Sequence, residues 1–260
     1  MKARHLEPLL ALAALVAAWQ LASAAGWLNQ VRFPAPSKLA GTLRDLVIEG
    51  FPDGVPLTTH LMQTIQRVLA GFAVAVALAI PCGLLIGTRP FLERLTATVI
   101  AFCRSVATLS LLPIALVWFG TGEASKMFLI AYGCFWVMLS NVIAAVKQVD
   151  PILVRAARTM DADAREIFAS VIVPAILPRA FAGARIALGV GFMVIVGAEM
   201  IGTVVGLGAL IMEARSFYRT DITFVGMALL GVIGFAINSG LLWVERRLMP
   251  WARRQEGKHE

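Results

Sequence analysis

The densest group of ionisable side chains in this sequence lies in residues 154–174, which read VRAARTMDADAREIFASVIVP. Asp163 and Glu166 have the spacing of a capping box, in which each side chain accepts a hydrogen bond from the other residue's backbone N–H at the start of a helix. Ile167 and Phe168 then begin an apolar stripe on that helix. The stretch predicts a helix-turn-helix with a polar and an apolar side, and the residues alone are equally compatible with a solvated linker.

A few isolated polar residues interrupt apolar runs that are long enough to cross a membrane. Glu199 stands in IVGAEMIG, and a carboxylate within a membrane span is costly enough to suggest a function. It would line a passage or brace a gate, or else it lies at headgroup level and meets water or a basic neighbour. Ser105, Thr108 and Ser110 form a mildly polar patch that would face a passage or bond to their own helix. For Asn141, packing between helices is favoured over a place in the passage.

The sequence offers no other arrangement suited to catalysis or metal binding. The cysteines lie inside apolar runs without paired spacing, and the histidines are far apart. These residues are Cys82, Cys103, Cys134, His5, His60 and His259. The phosphate-binding pattern Gly-x-x-x-x-Gly-Lys-Ser/Thr is absent, since GLLIGTRP lacks the lysine. We therefore predict no catalytic residue, no metal site and no cofactor on this chain.

The composition is that of a membrane protein. Hydrophobic residues make up 59% of the chain, charged residues make up 15%, and the mean hydropathy is +0.80. A soluble domain of this length would need more surface charge. The formal charge of +7 comes from basic residues in short loops and tails, without interleaved Tyr or Trp. This distribution favours membrane topology over nucleic-acid binding.

Six apolar stretches are predicted to be membrane helices of the roughly 20 residues that a bilayer requires. They are residues 8–25, 65–87, 97–119, 127–146, 181–201 and 223–243. The first stretch, between MKARH and LASAAG, also has the features of a signal peptide. Its length and the later spans favour a retained helix, with cleavage as the alternative.

The basic residues predict the orientation of these helices. With both termini in the cytoplasm, most Lys and Arg residues, Arg89 and Lys147 among them, fall on the cytoplasmic side, together with residues 148–178. Residues 26–60 then lie outside, and their FPAPSK and GFPDGVPL are typical of turns and extended pieces. Residues 202–222 are predicted to form a short helix at the outer surface or dipping into it.

The charged stretch resembles the cytoplasmic signature of permease subunits of binding-protein-dependent ABC importers. That signature is Glu-Ala-Ala, three residues, Gly, nine residues and Ile-x-Leu-Pro. Here Arg155, Ala156 and Ala157 are followed at the same spacings by Asp161 and by Val-Ile-Val-Pro at 171–174. Arg stands in place of Glu, which puts in doubt any ion pair made by that Glu. Asp stands in place of Gly, and Asp tolerates a left-handed backbone better than most residues.

The resemblance covers nearly the whole chain and looks like the nitrate, sulfonate and taurine branch. The stretches that carry it are FPAPSK, QRVLAGFAVAVALAIPCGLLIG, LLPIALVWFGTGEASKMFLIAYGCFW, VDPILVRAARTM, GARIALGVGFMVIVGAEMIG and YRTDITFVGMALLGVIGF. It implies an all-α polytopic membrane protein, with a single permease domain at 1–260 and a coupling region at 150–178. The residues that would couple the chain to an ATPase are Arg155, Ala156, Ala157, Asp161, Ala162, Glu166, Phe168 and Pro174.

The same resemblance implies a function and a set of partners. The chain would form the pathway of an ATP-driven importer in the bacterial inner membrane for a small anion such as a sulfonate, taurine or nitrate. Two cytoplasmic ATPase subunits would hold the ATP and magnesium, a periplasmic protein would bind the substrate, and a second permease copy would complete a homodimer in lipid. A secondary transporter or channel without an ATPase is the alternative, which predicts an inverted repeat or several intramembrane charges. A membrane-embedded enzyme would need polar groups clustered at one depth.

Overall fold

A computed structural model of the chain describes residues 6–249, and every regular element within that range is helical. The elements are α1 (Leu6–Ala24), α2 (Pro36–Ile48), α3 (Leu57–Thr88), α4 (Pro90–Ser105), a 3₁₀ turn (Thr108–Leu111), α5 (Leu112–Phe119), α6 (Glu123–Lys147), α7 (Pro151–Thr159), α8 (Ala164–Ile167), a π-helical turn (Phe168–Ile172), α9 (Val173–Gly202), α10 (Leu207–Ser216) and α11 (Thr220–Leu248). The predicted all-α fold is confirmed. The MKARH start and both termini, whose cytoplasmic placement is predicted, lie outside the described residues.

Four helices of the described range are long and apolar enough to cross a membrane. They are Leu57–Thr88, Glu123–Lys147, Ala164–Ile201 and Thr220–Leu248. These helices contain four of the predicted spans, 65–87, 127–146, 181–201 and 223–243. The predicted first span, 8–25, falls almost entirely on α1 (Leu6–Ala24), which is not one of these four helices. The count of six spans is therefore not confirmed.

The predicted span at 97–119 lies in a bent pair of helices rather than in one continuous helix. Pro90–Ser105 and Thr108–Phe119 meet at 84°, and the two together have the length and hydropathy of one span. Pro113 lies in the first turn of α5, a position where its missing N–H would be unpaired in any case. The helix therefore restarts there. Counting this bent pair as one span brings the total to five.

The chain divides into two compact units. The first comprises the residues up to Thr64 together with Glu199–Val232, and the second comprises Ile65–Ala198 together with the chain from Ile233 onward. Each unit has a candidate functional region of its own, and each is described by itself below.

In the second unit, α3 packs on α6 through small residues that recur at every fourth position. These residues are Gly71, Ala75, Ala79, Gly83 and Gly87. A Cβ atom on any of the three glycines would lie only 2.7–2.8 Å from the side chain of a facing residue. The facing pairs are Gly71–Ile130, Gly83–Val142 and Gly87–Val146. The separation in sequence is the same for all three pairs, which shows that the helices run parallel, and small residues allow this close approach.

Helix α9 packs on α6 in the opposite direction. A Cβ atom at Gly183 would lie 2.5 Å from the Asn141 Cβ, and the thiol of Cys134 donates to the Ala187 carbonyl at 3.1 Å. Higher residue numbers on α9 thus meet lower numbers on α6, so the two helices are antiparallel. Cys134 is fully buried, whereas Cys82 is exposed and Cys103 is half-buried, so the interpretation of all three cysteines as buried small hydrophobes holds for Cys134 alone.

In the first unit, GFPDGVPL forms turns as predicted up to the start of α3 at Leu57, whereas FPAPSK, predicted as turn or extended, enters a helix at Pro36. Pro36–Ile48 forms α2, with Pro36 in its first turn and Thr42 and Leu46 buried. Proline in FPAPSK thus starts a helix, because its fixed φ suits the first helical turn. The short helix predicted within 202–222 is confirmed as α10, and most of its side chains are buried.

Candidate functional site

Caps that the sequence encodes locally hold the charged region at 150–178. Asp150 accepts a hydrogen bond from the Ile152 N–H at 2.8 Å, with Pro151 in the first turn of α7. The predicted capping box of α8 is present. The Glu166 N–H donates to Asp163 Oδ1 at 2.6 Å, and the Asp163 N–H donates to Glu166 Oε2 at 2.9 Å. Both helices of this helix-turn-helix therefore have defined starts, and we call residues 150–174 the knuckle.

The turn between α7 and α8 is a Schellman motif built around an aspartate. Asp161 has a left-handed φ of 56°. Its N–H donates to the Arg158 carbonyl at 3.1 Å, and the Ala162 N–H donates to the Ala157 carbonyl at 3.2 Å. These are the two bonds of the motif, whose left-handed position is usually glycine. The turn expected where Asp replaces Gly is therefore formed.

Proline normally ends a helix, but Val173-Pro174 does not end the helix that begins at Ala164. The chain stays helical over Ala164–Ile201, and residues Phe168–Ile172 form a π-helical turn just before the proline. A proline inside an α-helix lacks one N–H and clashes with the carbonyl four residues earlier. The wider π turn changes that spacing, so the helix continues past Pro174.

Side chains of both polar and apolar type are exposed on the knuckle. Ile152, Leu153, Met160 and Phe168 are 60%, 49%, 82% and 37% exposed, and Ala156 is exposed beside them. We call these five residues the knuckle surface. Four apolar side chains exposed on so short a segment indicate a contact with another molecule.

The knuckle carries both basic and acidic side chains, three arginines and three carboxylates within residues 154–174. Arg155, Arg158 and Arg165 are exposed, and none of the three makes an ion pair or a side-chain hydrogen bond within residues 6–249. The carboxylates of Asp163 and Glu166 are instead engaged in the capping box. The guanidinium groups are therefore available to an acidic partner.

A second candidate site, in the first unit, is centred on Glu199. This carboxylate is fully buried. It accepts a hydrogen bond from Thr64 Oγ1, 2.9 Å from both of its oxygens, and its Oε2 accepts one from the Gly208 N–H at 2.9 Å. Thr64 Oγ1 in turn accepts from the Leu207 N–H at 2.9 Å. Two side chains thus bind the first two backbone N–H groups of α10, which have no partner inside the helix.

His60 completes this arrangement. Its Nδ1 accepts from the Gly206 N–H at 3.1 Å, and its Nε2 lies 3.0 Å from the Phe51 carbonyl. The Gly206 carbonyl oxygen also lies 3.0 Å from Nδ1, but it already accepts a hydrogen bond from the Leu210 N–H. The neutral tautomer with a proton on Nε2 therefore satisfies every one of these groups. We call His60, Thr64 and Glu199 the α10 brace.

Gly206 is required at the start of α10 for two separate reasons. Its φ is 143°, in the region that favours glycine. A Cβ atom there would also lie 2.4 Å from the Glu199 carboxyl carbon. Sequence reasoning singled out Glu199 and missed His60 and Thr64. The signal that could have revealed them is LTTHLMQTIQ, in which polar side chains occupy the first turns of an otherwise apolar helix.

The other predicted polar residues belong to the second unit, where the two serines and Asn141 bond within their own segments. Ser105 and Ser110 are exposed, and their hydroxyls donate to the backbone carbonyls of Ala101 and Ala107 at 2.9 Å and 2.7 Å. Asn141 is half-buried and donates to the Val137 carbonyl of its own helix at 2.8 Å.

Thr108 is half-buried, and its Oγ1 lies 3.2 Å from where a Cβ atom of Gly133 would be. The serines and Thr108 thus belong to the break between α4 and α5. Asn141 belongs to the contact between α6 and α9.

Residues 79–254 match the family described as the inner membrane component of binding-protein-dependent transport systems. This chain belongs to that family. It is therefore a multi-pass permease subunit of an ABC importer, and ATP hydrolysis belongs to a separate subunit. Family membership favours this function over a secondary transporter or channel that works without an ATPase.

Two curated relatives are similar over most of the permease. The taurine transport system permease protein TauC of Escherichia coli K12 is 33% identical over 241 residues, which cover 92% of this chain and 87% of that protein. The putative aliphatic sulfonates transport permease protein SsuC of Bacillus subtilis 168 is 31% identical over 252 residues, covering 97% and 90%.

The fold of the permease is also found in a solved structure. An inward-facing structure of the MetNI methionine ABC transporter superposes with a TM-score of 0.64 at 22% sequence identity. The match covers 74% of this chain and 95% of that chain. The permease therefore shares the fold of an ABC transporter component.

Proposed function

We propose that this permease imports a small sulfonate or a related small anion as a homodimer coupled to two ATPase subunits. The similarity to permeases named for taurine and aliphatic sulfonates, above 30% identity over most of the chain, supports the substrate class. The spans carry few polar groups and no cluster of arginines that would clamp an anion. Selection therefore belongs to a periplasmic binding protein, and this chain supplies the pathway.

The exposure of the knuckle surface is the observation that supports the coupling mechanism. Its exposed apolar side chains need a protein partner, and the three arginines beside it, which make no ion pair within residues 6–249, favour a partner with acidic groups. A cytoplasmic ATPase with an apolar, acid-rimmed groove fits both requirements. That ATPase holds the ATP and magnesium, and closure of the ATPase pair pushes on the knuckle.

Each coupling residue has its own part in this contact. Asp161 makes the left-handed turn, Ala162 closes the Schellman motif and Glu166 completes the capping box. Ala156 allows close approach because its side chain is small and exposed, and Phe168 extends the apolar face. Two further coupling residues lie within the knuckle, half-buried Ala157 in α7 and Pro174 after the π turn. Arg155 provides a positive charge where the signature of the family has Glu, so its partner carries the opposite charge.

The permease spans 1–260 as one domain of the bacterial inner membrane, with both termini in the cytoplasm. Two ion pairs fit the predicted grouping of charges at the two ends of the spans. Lys147 Nζ lies 2.6 Å from Glu93 Oε1, and both residues are predicted to be cytoplasmic. Arg67 Nε lies 2.6 Å from Glu123 Oε2, and both are predicted at the outer side. Charged residues thus pair with partners on the same predicted side of the membrane.

The α10 brace acts on the predicted outer side as a gate support rather than a substrate contact. Glu199 is fully buried and placed at the start of a helix, where the helix dipole favours a negative charge. Because three side chains hold α10, the outer segment, residues 202–222, keeps one position until the gate opens.

Lipid and a second permease copy cover the apolar side chains that the single chain leaves exposed. Helix α4 has such a face, formed by Phe91, Leu95, Val99 and Phe102, each at least 56% exposed. The spacing of these four residues keeps them on one side of the helix. The pathway lies between the two copies.

Reconstitution tests the proposal. The permease is placed in proteoliposomes with its ATPase, and ATP hydrolysis is measured with binding protein loaded with taurine, an alkanesulfonate, nitrate or, as a control, methionine. We expect stimulation by the loaded binding protein and none by free substrate. Strong stimulation by free substrate, or tight saturable binding to the permease alone, would show that the permease itself selects the substrate.

A further inference from the structure

The break between α4 and α5 leaves backbone groups unpaired inside an apolar stretch. After Ser105, Val106 and Ala107 are extended, with ψ of 120° and 114°, and the 3₁₀ turn Thr108–Leu111 follows. Within the described residues, the N–H groups of Val106 and Ala107 donate to no protein acceptor. The break lies near the middle of Pro90–Phe119, whose two helices together have the length of one span.

Such a break cannot face hydrocarbon. Each backbone polar group without a partner in lipid costs several kcal/mol, and non-helical backbone occurs at membrane depth only where it is buried in protein or lines a water-filled cavity. Ser105, Ala107 and Ser110 are exposed, so the break is not buried within this chain. One carbonyl at the end of α4 is satisfied from within, because the Tyr132 hydroxyl donates to the Cys103 oxygen at 3.1 Å.

Close packing on two glycines holds the break in place. A Cβ atom at Gly197 would lie 2.8 Å from Leu109 Cδ2, and one at Gly133 would lie 3.2 Å from Thr108 Oγ1. Glycines on α9 and α6 thus leave room for the residues of the 3₁₀ turn. The break is therefore fitted to the helices behind it.

We propose that residues 105–110 line the translocation pathway and are wetted within the membrane. This inference rests on the proposed function and assigns part of its pathway. The hydroxyls of Ser105 and Ser110 donate to nearby carbonyls, so toward the pathway they present oxygen acceptors. The N–H groups of Val106 and Ala107 present donors. Neighbouring donors and acceptors replace part of the hydration of a small oxyanion without holding it tightly.

Cysteine labelling of the reconstituted complex tests the proposal. In a permease with Cys82, Cys103 and Cys134 changed to Ala, Ser105→Cys and Ser110→Cys are compared with Val99→Cys. Val99 is a matched control because it is 56% exposed on the apolar face of α4. We expect a charged, membrane-impermeant thiosulfonate to label both serine positions about tenfold faster than the control, because only wetted thiols form the reactive thiolate. Labelling should also block transport.

The outcomes separate this inference from the proposed function. Labelling of Ser105→Cys and Ser110→Cys at the rate of Val99→Cys would overturn the wetted break. Spontaneous disulfides between two copies at these positions, without labelling, would also overturn it, because the break would then pack copy against copy. If the unlabelled variants still couple loaded binding protein to ATP hydrolysis, the importer function stands in either case. Failure of the unmodified permease in that assay would count against the importer function itself.

Discussion

The Glu199 carboxylate accepts a hydrogen bond from the Gly208 N–H at 2.9 Å and caps the second residue of α10. Thr64, bonded to the same carboxylate, binds the N–H of Leu207, the first residue of that helix. A negative charge is thus placed at a helix N-terminus, where the dipole stabilises it. The intramembrane carboxylate is held by protein donors and belongs to the architecture of the outer segment.

We expect Glu199→Gln to lower the free energy of unfolding by about 1.5–3 kcal/mol, the usual contribution of a hydrogen bond to a charged group. Transport should fall together with the unfolding temperature of the purified complex. Glu213→Gln is the control, since Glu213 lies on the same helix α10 and is only half-buried. A Glu199→Gln variant of unchanged stability that no longer transports would instead place Glu199 on the substrate pathway.

We expect Gly206→Ala to prevent assembly of the outer segment. The added Cβ would meet the Glu199 carboxyl carbon at 2.4 Å in a backbone of φ 143°, and neither the left-handed φ nor the buried carboxylate can adjust without losing the cap. The yield of folded permease after detergent extraction is the measurement. Gly41→Ala, which meets no atom within 4 Å, should leave the yield unchanged, and equal yields for the two variants would contradict the brace.

Variants at Asp161 should show that the turn of the knuckle requires a left-handed residue. Asp161→Gly should fold at least as well as the parent, because glycine adopts this φ without strain. Asp161→Val should lose about 1–2 kcal/mol, since a Cβ is unfavourable in this region and a branched one more so. Unfolding in denaturant and co-purification of the ATPase are measured together. A valine variant as stable as the glycine variant would argue against the Schellman turn.

Acidic substitutions test whether the knuckle surface docks on the ATPase. Met160→Glu should leave the permease folded in the membrane but should reduce co-purification of the ATPase and abolish stimulated hydrolysis, because an acidic group would replace an exposed apolar one among the arginines. Ala157→Asp should have the same effect, since a bulky charge cannot enter a close helix contact.

Val47→Glu serves as the matched control, because Val47 is 57% exposed on α2, far from α7 in sequence. Normal coupling in the Met160→Glu and Ala157→Asp variants would show that the ATPase docks elsewhere.

What the sequence by itself determined about this permease is local. The capping box of Asp163 and Glu166 and the turn at Asp161 depend on residues within a few positions of one another, and their hydrogen bonds form wherever that segment lies. The long apolar runs behave in the same way, since length and hydropathy alone indicate a span. Local rules were insufficient at Pro174 and in 97–119, because whether a proline ends a helix, bends it or is accommodated depends on what packs against it.

Only the tertiary structure decided which polar groups meet. Thr64 and Glu199 are 135 positions apart, and His60 and Gly206 are 146 positions apart, so no spacing rule joins them. A buried carboxylate needs hydrogen-bond donors to offset its desolvation. The sequence contains several polar residues that could serve as donors, and it does not show which of them does. The break after Ser105 was likewise not predicted, although a mildly polar patch marks its place in the sequence. It exists because Gly133 and Gly197, on two other helices, leave room for Thr108 and Leu109, and that complementarity appears only when the helices pack together.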